Sequence, residues 1–291
     1  MRIIRYQQDD KVYMGVIMED GSAYQLPDPD FLSLVARAEA GGVQPSELIK
    51  SSLSVLTKLE QPVQDLKLLV PIVAPEVWAA GVTYERSREA RNAEVQSTGP
   101  VSISYYDKVY EAERPEIFFK SSAARTRGPN EHVCIRNDSS WQVPEPELGL
   151  VIGANGHILG YTIGNDMSCR DIEGENPLYL PQAKVWRNSC AIGPAIRLAD
   201  TVEDPYRFTI TCRIYRDDKL MTEGSASTGQ LKRRYDELVS YLLRDNLIFD
   251  GTVLLTGTCI VPPDHFTLQA GDRIEIEISG IGTLVNEVIP A

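Results

Sequence analysis

The chain opens on strand-like alternation. Residues 2–6 and 12–18 place apolar side chains at every second position, and Glu19-Asp20-Gly21 punctuates a turn before a third short run at 23–26. The spacing then becomes helical. Residues 31–40, and residues 45–59 opening on Gln44-Pro45-Ser46-Glu47, carry apolar positions every three or four residues. Gln61-Pro62-Val63-Gln64 reads as a linker. This pattern predicts a small N-terminal α+β domain over residues 1–65 and a larger domain over 66–291.

From Leu66 onward the texture is mainly β. Short runs rich in Val, Ile and Thr, at 68–73, 117–120, 148–153, 158–164, 208–215, 252–255 and 273–278, are separated by Gly, Pro, Asn and Asp. Two helical stretches interrupt them, 84–95 and 232–243. The second puts Tyr235, Leu238, Val239, Leu242 and Leu243 on one face. The fold class this predicts is α+β around a mixed or antiparallel β core.

Composition and charge narrow the function. With 43% hydrophobic and 24% charged residues, the chain has enough apolar surface for a packed core, which excludes wholesale disorder. The net charge of −12 argues against a nucleic-acid groove. It would also repel an anionic substrate unless a metal or fixed cations stood at the site. The five cysteines (Cys134, Cys169, Cys190, Cys212, Cys259) are odd in number and never spaced as C-x-x-C, so reduced, buried thiols are expected. No signal-peptide pattern and no run of about 20 apolar residues is present. The expectation is a soluble cytoplasmic protein without a membrane or nucleic-acid partner.

The most informative segment runs from Glu145 to Asp166. Asn155-Gly156 between two apolar runs predicts a hairpin with a type I′ turn, which needs positive φ at both central residues. Counting back from that turn puts Glu145 opposite Asp166, with Glu147 on the same face as Glu145. Directly opposed Cβ atoms lie about 5 Å apart, so three carboxylates converge on one patch. Unneutralised, they would raise one another's pKa values. Oxygen-only ligands favour a hard ion, Mg2+, Mn2+ or Ca2+, over Zn2+. A Glu-x-Glu pair alone is commonly a solvated strand face, and Pro146 removes a ladder donor. The opposed Asp and the flanking apolar runs are what favour a metal site.

These residues carry a resemblance. Glu145-Pro-Glu147, followed by Gly160-Tyr-Thr-Ile-Gly-Asn-Asp166-Met-Ser168-Cys-Arg170-Asp171, resembles the metal-binding core of the fumarylacetoacetate hydrolase superfamily. Thr256-Gly257-Thr258, Gly271-Asp272 and Gly280-Ile-Gly282-Thr-Leu284-Val-Asn286 are similar to its C-terminal signature. The resemblance covers residues 66–291. It implies a mixed β-roll, a magnesium or similar ion held by Glu145, Glu147 and Asp166, and assembly as a homo-oligomer, dimer or tetramer. Four further segments resemble one branch of that family: Gly81-Val-Thr-Tyr84-Glu-Arg-Ser87, Arg114-Pro-Glu116-Ile-Phe-Phe119-Lys120, Gly174-Glu-Asn-Pro-Leu-Tyr-Leu-Pro-Gln-Ala-Lys184, and Thr258-Cys-Ile-Val-Pro262. Members of that branch dehydrate 2-keto-3-deoxy-pentonates such as 2-keto-3-deoxy-D-arabinonate to 2,5-dioxopentanoate.

The resemblance also separates chemistries. Carbon–carbon hydrolases of the family carry a water-activating His after the Gly-x-x-Tyr stretch, and residues 81–91 have none. His132, His157 and His265 lie elsewhere. The mechanism implied is chelation of a small-molecule 2-keto acid by the metal, which acidifies the C3 protons as an enolate develops. Glu116 and Lys184 are the expected proton movers. Ser87, Lys120 and Thr258 are expected to hold the substrate, and Phe119 to wall the pocket. A Schiff base on Lys184 ranks lower, because chelation already engages the keto oxygen. The alternatives are an acylpyruvate-type hydrolase or decarboxylase on the same scaffold, and a non-catalytic metal- or ligand-binding protein.

Overall fold

The computed structural model describes residues 1–89 and 105–291. Its centre is the strand Pro146–Ile152, in which every residue is buried. It pairs antiparallel with Ile158–Asp166 on one side and with Thr252–Leu255 on the other. Beyond Thr252–Leu255 come Glu76–Gly81, in parallel, and then Glu116–Ser122. Beyond Ile158–Asp166 come Cys190–Leu198 and then Arg2–Gln8, Lys11–Ile17 and Ala23–Leu26. The first three strands of the chain therefore extend the sheet that carries the acidic hairpin. A second sheet of five strands contains Thr209–Arg216, Lys219–Ser227, Arg273–Ile278, Gly282–Pro290 and Val133–Ile135.

Both faces of the large sheet are covered, which explains why its central strands read as unbroken apolar runs rather than alternating ones. Leu148, Leu150 and Ile152 face the second sheet, packing with Ile214, Ile276 and Leu284 and with Leu238 and Leu242 of the helix Tyr235–Leu243. Val151 and Val253 face the other way, into a cluster with Phe31, Leu34 and Val35. Those three lie on the helix Phe31–Ala40, whose N-terminus is capped by the Asp30 carboxylate accepting from the Ser33 amide. The α+β, strand-rich architecture is as expected.

The expected hairpin register is present, although its turn differs. Pairs from Pro146↔Asn165 to Val151↔Gly160 keep the predicted alignment, and the Asp166 amide donates to the Glu145 carbonyl at 3.0 Å. At the tip, however, only Gly156 has positive φ (83°), and its amide donates to the Gly153 carbonyl. The tight turn is thus centred on Ala154 and Asn155, with Gly156 following it in the left-handed region, in place of type I′. That turn shifts the pairing by one residue, and a bulge at Leu159 shifts it back.

Other boundaries moved for local reasons. The helix expected over 45–59 ends at Ser52, where a short 3-10 turn Leu53–Val55 takes over. Residues 85–89 are helical, and the remainder of the 84–95 prediction lies outside the described residues. The strand Cys190–Leu198 was not anticipated, because Gly193-Pro194 reads as a break. The structure absorbs that Pro where the ladder to Ile158–Asp166 is irregular, between Tyr161 and Ile163. Four of the five cysteines are buried and all are free thiols. Among the described residues, no helix is long and apolar enough to cross a membrane.

Gly160 sits where the ladder to Cys190–Leu198 leaves no room for a side chain. A Cβ there would fall on Ile196 Cγ2 and lie 2.8 Å from the Arg197 carbonyl oxygen. Gly160→Ala should cost about 1–3 kcal/mol of stability, read as a lower urea midpoint with an unchanged slope. An unshifted midpoint would contradict this packing.

Candidate active site

The hairpin register delivers three acidic side chains to one spot. Oxygens of Glu145, Glu147 and Asp166 all lie within 4.8 Å of one another, and the residues are 3%, 1% and 1% exposed. Burial comes first in pushing the Glu147 carboxyl well above its usual value, followed by the facing Asp166 and Glu145 charges. Its Oε2 accepts from the Gly257 amide at 2.7 Å, which favours the ionised form. Gly257 is fixed there by a φ of +94° and by close neighbours: a Cβ would fall on Thr83 Oγ1. The adjacent Thr256 hydroxyl donates to the Leu148 carbonyl at 2.9 Å, tying this turn to the strand that carries Glu147.

Cations surround the cluster. Lys184 Nζ donates to Glu145 Oε2 at 2.8 Å, to Ser168 Oγ at 2.6 Å and to Asp166 Oδ2 at 3.3 Å. Arg170 Nη2 lies 3.0 Å from Glu145 Oε1, and Lys120 Nζ lies 2.6 Å from Asp166 Oδ1. Three buried, hard-oxygen donors from three residues, with Glu147 pressed toward its protonated form, fit a small divalent cation. Among the described residues, no other group of three or more potential ligands meets this test.

One cavity collects most of the expected site residues: Glu116, Ser87, Thr258 and Lys184 line it together with the three carboxylates. Glu116 stands across the strand pair from Gly81, where a Cβ would fall on the Glu116 carboxylate. The glycine leaves the room in which that carboxylate sits. Two expectations need correcting. Lys120 is not among the residues that line the cavity; besides Asp166 it donates to the carbonyls of Met167 and Lys184, so its ammonium already has three acceptors in the protein. Phe119 is on the opposite face of its strand, edge-on to Trp78 at 5.6 Å, and the cavity wall is Phe118, whose ring centroid is 5.4 Å from Lys184 Nζ. Strand alternation explains the second, since Glu116 and Phe118 share a face; at Lys120 the ladder to Glu76–Gly81 is irregular.

Ser168, Arg170 and Glu173 have no individual role readable from the sequence. Asp166, Ser168 and Arg170 follow at every second position, a signal that the continuing extended chain would have supplied. His132, His157 and His265 are all exposed, and none lines the cavity.

Residues 76–289 match the family described as fumarylacetoacetate (FAA) hydrolase C-terminal. The chain belongs to that family. Within it, the chain is 40% identical over 288 residues to the 2-dehydro-3-deoxy-D-arabinonate dehydratase of Saccharolobus solfataricus, covering 99% of this chain and 96% of the relative. It is 49% identical over 224 residues to the "Probable 2-keto-3-deoxyxylonate dehydratase" of Haloferax volcanii, covering 77% and 75% respectively. Among solved structures of the fumarylacetoacetate hydrolase fold, a 2-keto-3-deoxy-D-arabinonate dehydratase complexed with magnesium and 2,5-dioxopentanoate superposes with a TM-score of 0.83. That match has 37% identity and covers 100% of this chain and 99% of the other.

Two outcomes follow from the geometry. A raised carboxyl pKa stabilises the metal-free fold below the unfolded carboxyl value and loses that contribution as pH rises through the folded value. Burial and the facing charges favour the protonated form of Glu147 while magnesium favours the ionised one, so affinity should rise with pH, with proton release measurable by calorimetry in buffers of different ionisation enthalpy. Binding with no proton released would contradict it. Separately, Gly81→Ala should displace the Glu116 carboxylate and lower turnover about 10²-fold, leaving magnesium affinity unchanged in the same titration.

Proposed function

We propose that this chain is a divalent-metal-dependent hydro-lyase that dehydrates a 2-keto-3-deoxy-pentonate, such as 2-keto-3-deoxy-D-arabinonate, to 2,5-dioxopentanoate. The observation that carries this reading is the buried triad Glu145, Glu147 and Asp166 in one cavity with Lys184 and Glu116, and without a histidine. Magnesium is the ion proposed, with Mn2+ and Ca2+ as other hard ions the same donors accept. When bound, it supplies charge that attracts the 2-keto acid and makes the C3 protons more acidic.

The side chains then divide the work. Glu116, half-buried beside Gly81, removes a C3 proton. Lys184, held as an ammonium by Glu145, Asp166 and Ser168, donates toward the departing C4 hydroxyl. Ser87 and Thr258, 5% and 3% exposed, offer hydroxyls to the substrate's oxygens. Lys120 acts as a positioning residue, gripping Asp166 and the backbone of Lys184. Hydrolysis of acylpyruvates on this scaffold is disfavoured because no cavity-lining histidine is available to activate water. The same reading places the enzyme in the cytoplasm as a homo-oligomer, a dimer or tetramer, and takes residues 1–65 as an accessory domain.

Glu147→Gln is the direct test. It removes one ligand charge while relieving repulsion in the metal-free cluster, so the apo protein should be no less stable. Formation of 2,5-dioxopentanoate with magnesium should fall at least about 10²-fold. Retained magnesium-dependent turnover in that variant would remove the metal assignment.

A further inference from the structure

The cavity holds one buried ionisable side chain that the mechanism above leaves idle. Glu173 is 6% exposed and lines the same cavity as the triad, but lies outside the set of three clustered carboxylates. Its Oε2 is 3.9 Å from Lys184 Nζ, so Lys184 stands between it and Glu145. Its short helix, Arg170–Glu175, is pinned on both sides. Arg170 reaches Glu145, and the Asp171 carboxylate accepts from Ser139 Oγ at 2.6 Å and from the Ser140 amide at 2.6 Å. A buried carboxylate anchored this way has a defined position in the cavity.

The chemistry asks for one more base in the cavity. Loss of a C3 proton and the C4 hydroxyl breaks C3–H and C4–O and leaves a C3=C4 double bond conjugated with the C2 ketone, while C5 is still an alcohol. Reaching the 5-aldehyde needs no oxidant. A proton leaves C5 and its electron pair forms C4=C5, while the former C3=C4 pair takes a proton at C3. The resulting C5 enol then gives up its hydroxyl proton as C4 takes one. Two protons leave the C5 end and two arrive at C3 and C4, so this second half is an isomerisation. It requires a base near C5, away from the oxygens held by the metal, and Glu116 and Lys184 are already engaged at C3 and at the C4 oxygen.

We propose that Glu173 is that base, accepting the C5 proton and serving the isomerisation that completes the product. This rests on the dehydratase reading. The test uses Glu173→Gln with magnesium and a 2-keto-3-deoxy-pentonate in D2O. Semialdehyde formation should fall about 10²-fold or more. Exchange of the C3 hydrogens with solvent should stay within about threefold of the parent, and the conjugated 5-hydroxy-2-oxopent-3-enoate should accumulate as an ultraviolet-absorbing species. Glu173→Asp, which keeps the carboxylate, should recover part of the lost rate. Semialdehyde formation within about threefold of the parent would overturn the proposal. So would loss of C3 exchange together with turnover, which is what a structural role would give. If instead the parent protein released no water from any such pentonate, the dehydratase reading itself would fall.

Discussion

Mutual repulsion among three buried carboxylates is the constraint around which this molecule is arranged. Each is removed from water, and the charges of Asp166 and Glu145 add to burial in raising the cost of ionising Glu147. The fold counters that cost with fixed donors: the Gly257 amide on Glu147, Arg170 and Lys184 on Glu145, Lys120 on Asp166. Of the three, Glu147 is the one met here by an uncharged amide, and its charge is what attracts a divalent ion. A cluster of this kind persists only if the backbone beneath it cannot relax, and a sheet packed on both faces meets that need.

The supporting elements are accordingly tied to one another through the site. Thr256 binds the strand Thr252–Leu255 and its following turn to Pro146–Ile152. Lys120 joins Glu116–Ser122 to the backbone at Met167 and Lys184, which no sheet pairing connects directly. A single buried ammonium therefore closes a loop between distant parts of the chain. Replacing it would take from Asp166 Oδ1 and from the carbonyls of Met167 and Lys184 the donor they share, a cost to buried polar groups rather than one lost contact.

Much of this was legible in the sequence because it depends on local counting. The facing of Glu145 and Asp166 was read from one turn signal and a period of two, and it holds because the bulge at Leu159 cancels the shift of the actual turn; the helix Phe31–Ala40 follows from its apolar spacing. What was not legible depends on which side of an element a residue meets. Phe118 and Phe119 are equally apolar, and only the position of Gly81 across the ladder decides that Glu116 and Phe118 share the cavity side. Lys120 looks like a substrate cation until its three acceptors are seen. The strand Cys190–Leu198 was hidden by a Gly-Pro pair that a ladder irregularity accommodates. Glu173 sits on a six-residue helix too short to show a period.

The two irregularities in the acidic hairpin, the shifted turn and the bulge at Leu159, cancel before the chain reaches the carboxylates. The tip is thereby mechanically uncoupled from the chemistry at the other end. A longer or shorter outer loop would carry little entropic cost, provided a compensating kink lay between it and the acidic residues. Sequence drift at the tip carries no information about catalysis, whereas a single uncompensated insertion below the bulge would turn the carboxylates to the other side of the sheet.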